Sequence, residues 1–199
     1  MNIAVFCSAN GSNFQAIVDS LKRGKIKAEI ALMVCDNPDA FVLQRAEKEG
    51  IKSFLVERKN FNTKGEYEAE IIKRLEQEKV ELICLAGYMR LVGAVFTQKY
   101  RNRILNIHPA ILPVFKGTHG IKEALDYGAK VTGVTVHFVD EKMDHGPIVL
   151  QEAVEIKADD TEESLAKRIH KIEHKLYPQA IKLFVEGKLK VEGRKVKIG

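Results

Sequence analysis

Short continuous apolar runs alternate with segments of helical spacing through the first half of the chain, and that alternation restricts it to βαβ units around a mostly parallel sheet. NIAVFC (2–7), EIALMVC (29–35), KSFLV (52–56), ELICLA (81–86) and RILNI (103–107) have strand length. They are rich in Ile, Val, Leu and Cys, as strands buried on both faces should be. Between them, NFQAIVDSLKRG closes at Gly24 and AFVLQRAEKEG at Gly50, while TKGEYEAEIIKRLEQEK sets Ile71, Ile72 and Leu75 as a stripe for the sheet. The second half reads differently. KVTGVTVHFVD (130–140) and PIVLQEAVEI (147–156) are long strand patterns across a polar loop, an antiparallel pair added to the sheet. Asp160, with Glu163 in capping-box spacing, opens a long helix that Pro178 should interrupt or kink before Gly187. KLKVEGRKVKIG then suggests a small hairpin over about 188–198, turning at Glu192, Gly193 and Arg194. The expectation is one α/β domain over 1–199, a Rossmann-like, mostly parallel sheet flanked by helices.

With 199 residues, 45% of them hydrophobic, one core is affordable without division into domains. No apolar run approaches the ~18 residues of a membrane span, and the first residues carry no basic leader, so a cytoplasmic protein with no membrane partner is expected. Cys7, Cys35 and Cys84 each sit inside an apolar run without C-x-x-C spacing, which suits buried reduced thiols and argues against a cysteine metal site. The net charge of +5 would admit nucleic acid or a small anion. Basic and acidic residues are interleaved as on solvated helix faces, however, and only the last dozen residues are markedly basic, which disfavours nucleic acid.

Four stretches carry chemistry. In CSANGSNFQAI a strand ends, a small-residue loop turns and a helix starts near Ser12 or Asn13; its free N–H groups, with Gly11 allowing close approach, form an anion site or simply a capped helix. In ILNIHPAILP, strand alternation puts Asn106 and His108 on one face, and Pro109 stiffens the exit. An amide and an imidazolium can both donate to an oxygen that becomes negative during acyl transfer; the alternative is a turn amide and a structural histidine. The acidic loop VDEKMDHGP offers Asp140 or Asp144 as the carboxylate that holds His108 protonated. In RIHKIEHK, His170, Glu173 and His174 share a helix face, either for substrate contact or as a metal site lacking a third marked ligand. His119 and His137 have no assigned role.

Taken together, GSN after the first strand, AGYMRLV (86–92), LNIHPAILP (105–113), FKGTHG (115–120) and GVTVHFVDEKMDHGPIVLQ (133–151) resemble the folate-dependent formyltransferase family. The GSN loop and the chain length resemble its glycinamide ribonucleotide branch. The resemblance implies transfer of a formyl group from 10-formyltetrahydrofolate, as co-substrate, to the amine of phosphoribosylglycinamide in purine biosynthesis, with no metal, by a monomer or homodimer with small-molecule partners only. It also implies residue roles. Asn106 would bind the formyl oxygen, His108 would donate a proton to it, and Asp144 would keep His108 charged. Gly11, Ser12, Asn13, His170 and Glu173 would bind the ribonucleotide. Lys64, Met89, Arg90, Leu91, Val92, Asn106 and Asp140 would bind the folate. The chain departs from the family pattern at Ala9, where Gly is usual, at Lys64, where some relatives have Arg, and at His170, which can be Gln. A formyl hydrolase and a non-catalytic folate or nucleotide module are the competing readings.

Overall fold

The computed structural model describes residues 1–199. Strands β1 (Asn2–Phe6), β2 (Glu29–Cys35), β3 (Ser53–Leu55), β4 (Leu82–Leu85) and β5 (Ile104–His108) pair in parallel in the order β3-β2-β1-β4-β5. The expected antiparallel pair, β6 (Val131–Phe138) and β7 (Ile148–Glu155), continues the sheet beside β5. The terminal hairpin, β8 (Leu189–Glu192) and β9 (Lys195–Ile198), completes nine strands by setting Lys195 beside Ile148 of β7.

Six helices cover the sheet: α1 (Ser12–Lys22), α2 (Val42–Lys48), α3 (Lys64–Gln77), α4 (Ala94–Lys99), α5 (Gly120–Asp126) and α6 (Glu162–Val185). The strand period of two divides the core. Ile3, Val5, Leu82, Cys84, Leu105 and Ile107 pack toward Phe14 and Ile17 of α1 and Ile169, Tyr177 and Ile181 of α6. Ala4, Phe6, Ile83, Leu85 and Ile104 pack toward Tyr67, Ile71 and Leu75 of α3 and Phe96 of α4. Each Val, Leu, Ile or Phe side chain among these, fully removed from water, stabilises the fold by about 1.5–3 kcal/mol. Asn106 and His108 share the parity of Ile104 and so lie on the α3–α4 side, one and two steps beyond the residue those helices cover. The three cysteines are buried and free, and burial pushes the Cys7 thiol up to about 11, away from reactivity at neutral pH.

Three details differ from the sequence expectation. Thr161, not Asp160, caps α6: its hydroxyl accepts from the Ser164 N–H and the Ser164 hydroxyl accepts from the Thr161 N–H, while Asp160 accepts from the Lys157 N–H and the Ser164 hydroxyl. The helix also continues through Pro178 to Val185 instead of stopping there. Finally, α4 and α5 were not anticipated. No helix is long and apolar enough to cross a membrane.

The strand order reverses between β1 and β4, since the chain proceeds from β1 toward β3 on one side and returns to β4 on the other. The crevice beyond the carboxyl ends of these two strands is where parallel sheets receive ligands.

Candidate active site

At the end of β1 the chain turns through Gly11, whose φ of 77° is the left-handed conformation that an L side chain resists. A Cβ there would also lie 2.5 Å from Cγ2 of Val42, so the loop can press against α2 only with glycine. Ala9, the family departure, has no left-handed φ, and its carbonyl accepts from the Val42 N–H. Arg45 of α2 fixes the loop from outside, donating to the Asn10 carbonyl at 2.9 Å and to Asn10 Oδ1 at 3.1 Å, with its guanidinium over the Phe41 ring. No side chain caps α1, so its first N–H groups remain available to an anion.

Opposite this loop stands α6. Glu173 is 4% exposed, and its Oε2 accepts from Asn13 Nδ2 at 3.0 Å and from His170 Nδ1 at 2.9 Å. The hydrogen bond to Glu173 raises the His170 pKa above its ordinary value, against partial burial. One turn on, burial lowers the His174 pKa, so the two stacked imidazoles are shifted in opposite directions. Nε2 of His174 and Oδ1 of Asn13 are buried without partners, which marks this end of the crevice as polar and unsaturated. No group of three His, Cys, Asp or Glu side chains gathers here in a metal-holding arrangement.

The register of β5 against β6 builds the other end. Asn106 lies directly opposite His137 and His108 opposite Thr135, so all four side chains share one face. His137 Nδ1 donates to the Phe138 carbonyl at 2.8 Å, which leaves Nε2 as acceptor for the Asn106 amide at 3.1 Å. His108 is 3% exposed, and its Nε2 donates to the Phe115 carbonyl at 2.7 Å. That bond fixes the tautomer and leaves Nδ1 as the nitrogen that gains or loses a proton. Nδ1 faces Asp144 Oδ2 at 3.5 Å. The 110–115 segment is held in turn by Thr135, whose hydroxyl donates to the Ala110 carbonyl and accepts from the Leu112 N–H and Gln151 Nε2.

Asp144 arrives on the loop after β6, which crosses back over the Asn106–His108 face. Its Oδ2 accepts from the Gly117 N–H at 2.8 Å, and its Oδ1 lies 3.5 Å from Asn106 Nδ2 and 3.6 Å from His137 Nε2. Burial works to raise the Asp144 pKa, but the neighbouring His137 and His108 rings and the Gly117 hydrogen bond outweigh it and hold the carboxyl below the usual range. The carboxyl beside His108 is therefore biased toward its ionised form.

One cleft of about 400 Å³ joins the two ends. It is lined by Gly11, Ser12, Asn13, His170 and Glu173 on one side and Asn106, His108, Asp140 and Asp144 on the other, with Met89, Arg90, Leu91 and Val92 along its wall. Lys64 does not line it. That lysine belongs to an adjoining cavity of about 390 Å³, shared with Arg58, Tyr67 and Tyr88, which meets the cleft along residues 88–92. Arg90, at this junction, donates to Asp36 Oδ2 at 2.5 Å, and Asp36 Oδ1 accepts from Ser8, whose Oγ accepts from the Met89 N–H. A hydrogen-bonded chain thus ties the loop after β1 to the loop after β4.

His137, Thr135, Asp36 and the Phe115 carbonyl were not anticipated from the sequence. The signal for His137 and Thr135 existed in strand alternation, but only the β5–β6 register shows that they meet Asn106 and His108. His119 is exposed at the start of α5 and lines neither cavity.

The chain was compared with known proteins. A family model described as "Formyl transferase" matches residues 1–181. The phosphoribosylglycinamide formyltransferase of Bacillus subtilis (strain 168) is 52% identical over 179 residues, 90% of this chain and 92% of that protein. The trifunctional purine biosynthetic protein adenosine-3 of Drosophila melanogaster is 44% identical over 93% of this chain, which spans 14% of that longer protein. Among solved structures, glycinamide ribonucleotide transformylase 1 from Symbiobacterium toebii superposes with a TM-score of 0.97 at 43% identity, covering 100% of this chain and 93% of that one.

Proposed function

The chain belongs to the formyl transferase family, and from that premise we infer that it transfers the formyl group of 10-formyltetrahydrofolate to the amine of phosphoribosylglycinamide. The observation that carries the residue assignment is the convergence of Asn106, His108 and an ionised Asp144 on one end of the cleft, within 3.5 Å of one another along the contacts described. The two substrates occupy opposite ends. The ribonucleotide phosphate lies on the free N–H groups of Gly11, Ser12 and Asn13, with His170 as a nearby cation and Glu173 beside the sugar and amine. The pterin lies along Met89–Val92 and Asp140, and its anionic tail runs toward Arg90 and Lys64 in the adjoining cavity.

In the reaction the substrate amine attacks the formyl carbon, and the carbonyl oxygen becomes negative. One Asn106 N–H is held by His137; the other, now in a long contact to Asp144, turns to that oxygen. Protonated His108 donates from Nδ1 to the same oxygen, since Nε2 is committed to Phe115. Two donors brought onto the developing charge lower the barrier by stabilising it in a site from which water is largely excluded. Asp144 stabilises the imidazolium and accepts, through water, the proton that the attacking amine must lose; that proton passes on to the folate nitrogen as its bond to the formyl carbon breaks and the carbonyl re-forms. Residues 1–199, the terminal hairpin included, act as one formyltransferase domain in the cytoplasm, with no metal in this scheme.

The test is formyl transfer to the ribonucleotide, read by folate absorbance and product mass. Wild type should transfer, and His108→Ala should lose about 10²–10³ in kcat, the usual cost of one such donor. Formate release that does not require the ribonucleotide would point to a hydrolase instead. Ligand binding with no chemistry in wild type would point to a binding module.

A further inference from the structure

The family match ends at residue 181, yet the chain continues into a hairpin that returns to the catalytic loop. Gly193 turns it with a φ of 60°, and the next residue, Arg194, reaches across to residues 140–146. Its Nη2 donates to the His145 carbonyl at 2.6 Å, and Nη1 lies 3.2 and 3.4 Å from the two His145 ring nitrogens. His145 Nδ1 in turn bonds Asp140 Oδ2 at 2.7 Å, and the Arg194 charge helps to hold Asp140 ionised.

The loop needs such a hold. Asp144 sits at a φ of 47°, an unfavourable conformation for a residue with a side chain, and Gly146 passes so near the Phe138 carbonyl that a Cβ would lie 1.8 Å from its oxygen. Glu141, Lys142 and Met143 are exposed. The bond from Arg194 is the one by which another element holds the main chain of residues 140–146.

We propose that Arg194 is a positioning residue: from the terminal hairpin it clamps His145 and so sets Asp144 against His108 and Asn106. This rests on the catalytic reading of Asp144 above. A displacement of about 1 Å in a reacting constellation can cost ~10² in rate, so an exposed contact of little weight in stability can weigh heavily in kcat.

The experiment compares wild type, Arg194→Ala, Arg194→Lys, Asp144→Asn and the Arg194→Ala/Asp144→Asn double variant. Arg194→Ala should lower kcat by roughly 10- to 10²-fold with the ribonucleotide KM and the melting temperature nearly unchanged, and Arg194→Lys should recover part of the loss. In the Asp144→Asn background the Arg194 change should cost nothing further, because a residue acting through Asp144 has nothing left to position. Amide hydrogen exchange should rise over 140–146 and not in α1 or β1. Unchanged exchange in Arg194→Ala would overturn the clamp whatever the reaction is. Raised exchange with unaltered kcat, or losses that add in the double variant, would overturn its action through Asp144. Wild type with no formyl transfer would defeat the functional reading, while the exchange result would still decide the clamp.

Discussion

At the residue scale the cleft works by assigning one proton position to each side chain. Phe115 claims one nitrogen of His108 and Phe138 claims one of His137, so a single nitrogen of each faces the reacting groups. Strand alternation and an acidic loop are visible in one dimension, so the sequence paired Asn106 with His108 and offered Asp140 or Asp144 as their carboxylate, the family resemblance favouring Asp144. It could not show Phe115, which acts through a carbonyl that every residue possesses. His170 gives a pH prediction. Its pKa is raised by Glu173, so the imidazolium persists above the ordinary value of 6.5 and is lost as pH climbs through the raised one. A phosphate monoester completes its second ionisation near ~6, below that window. The ribonucleotide KM should therefore rise as pH climbs through the raised His170 value, and His170→Ala should raise KM at low pH and remove the dependence, as initial rates at varied pH would reveal.

At the scale of elements, the strands and long helices were legible and the short helices were not. β1, β2 and β4 announced themselves through continuous apolar runs, and α3 through the stripe of Ile71, Ile72 and Leu75; the structure adds that Thr63 and Glu66 form a full capping box at its start. α4 and α5 span six and seven residues and follow Gly93 and His119, neither of which makes a side-chain cap, so they offered neither a period nor a start signal. At α6 two capping residues stand side by side, and the choice between Asp160 and Thr161 is settled by the extended backbone of Thr161 and its reciprocal bond with Ser164. Asp160 nonetheless carries an acid-stability prediction. The Ser164 hydroxyl, the Lys157 N–H and Arg168 depress its carboxyl from 3.8 to about 2, so its contribution is complete above the ordinary value and disappears as pH falls through about 2. Melting temperatures measured down that range should fall less for Asp160→Asn than for wild type.

On the scale of the whole molecule, α1 and α6 on one face and α3 and α4 on the other bury the sheet but leave the ends of β1, β4 and β5 open, and the cleft is that opening. On the proposed assignment its two ends bind different molecules, so each substrate alone should stabilise the fold. A ligand at 100 times its Kd adds about 2.7 kcal/mol, which for a chain of this size raises the melting temperature by roughly 5–10 °C; thermal shift with the ribonucleotide and a non-reactive folate, separately and together, would measure it. The general architecture could be read in advance because alternation of period is a property of the whole sequence, whereas the adjoining cavity around Lys64 could not, because it depends on how α3 lies across the sheet. The Asn13–Glu173 hydrogen bond joins residues 160 positions apart. During synthesis the loop after β1 must wait for α6 before its partner emerges, so on the proposed assignment the ribonucleotide end of the cleft is assembled only once α6 has docked, and ribonucleotide binding would report that docking.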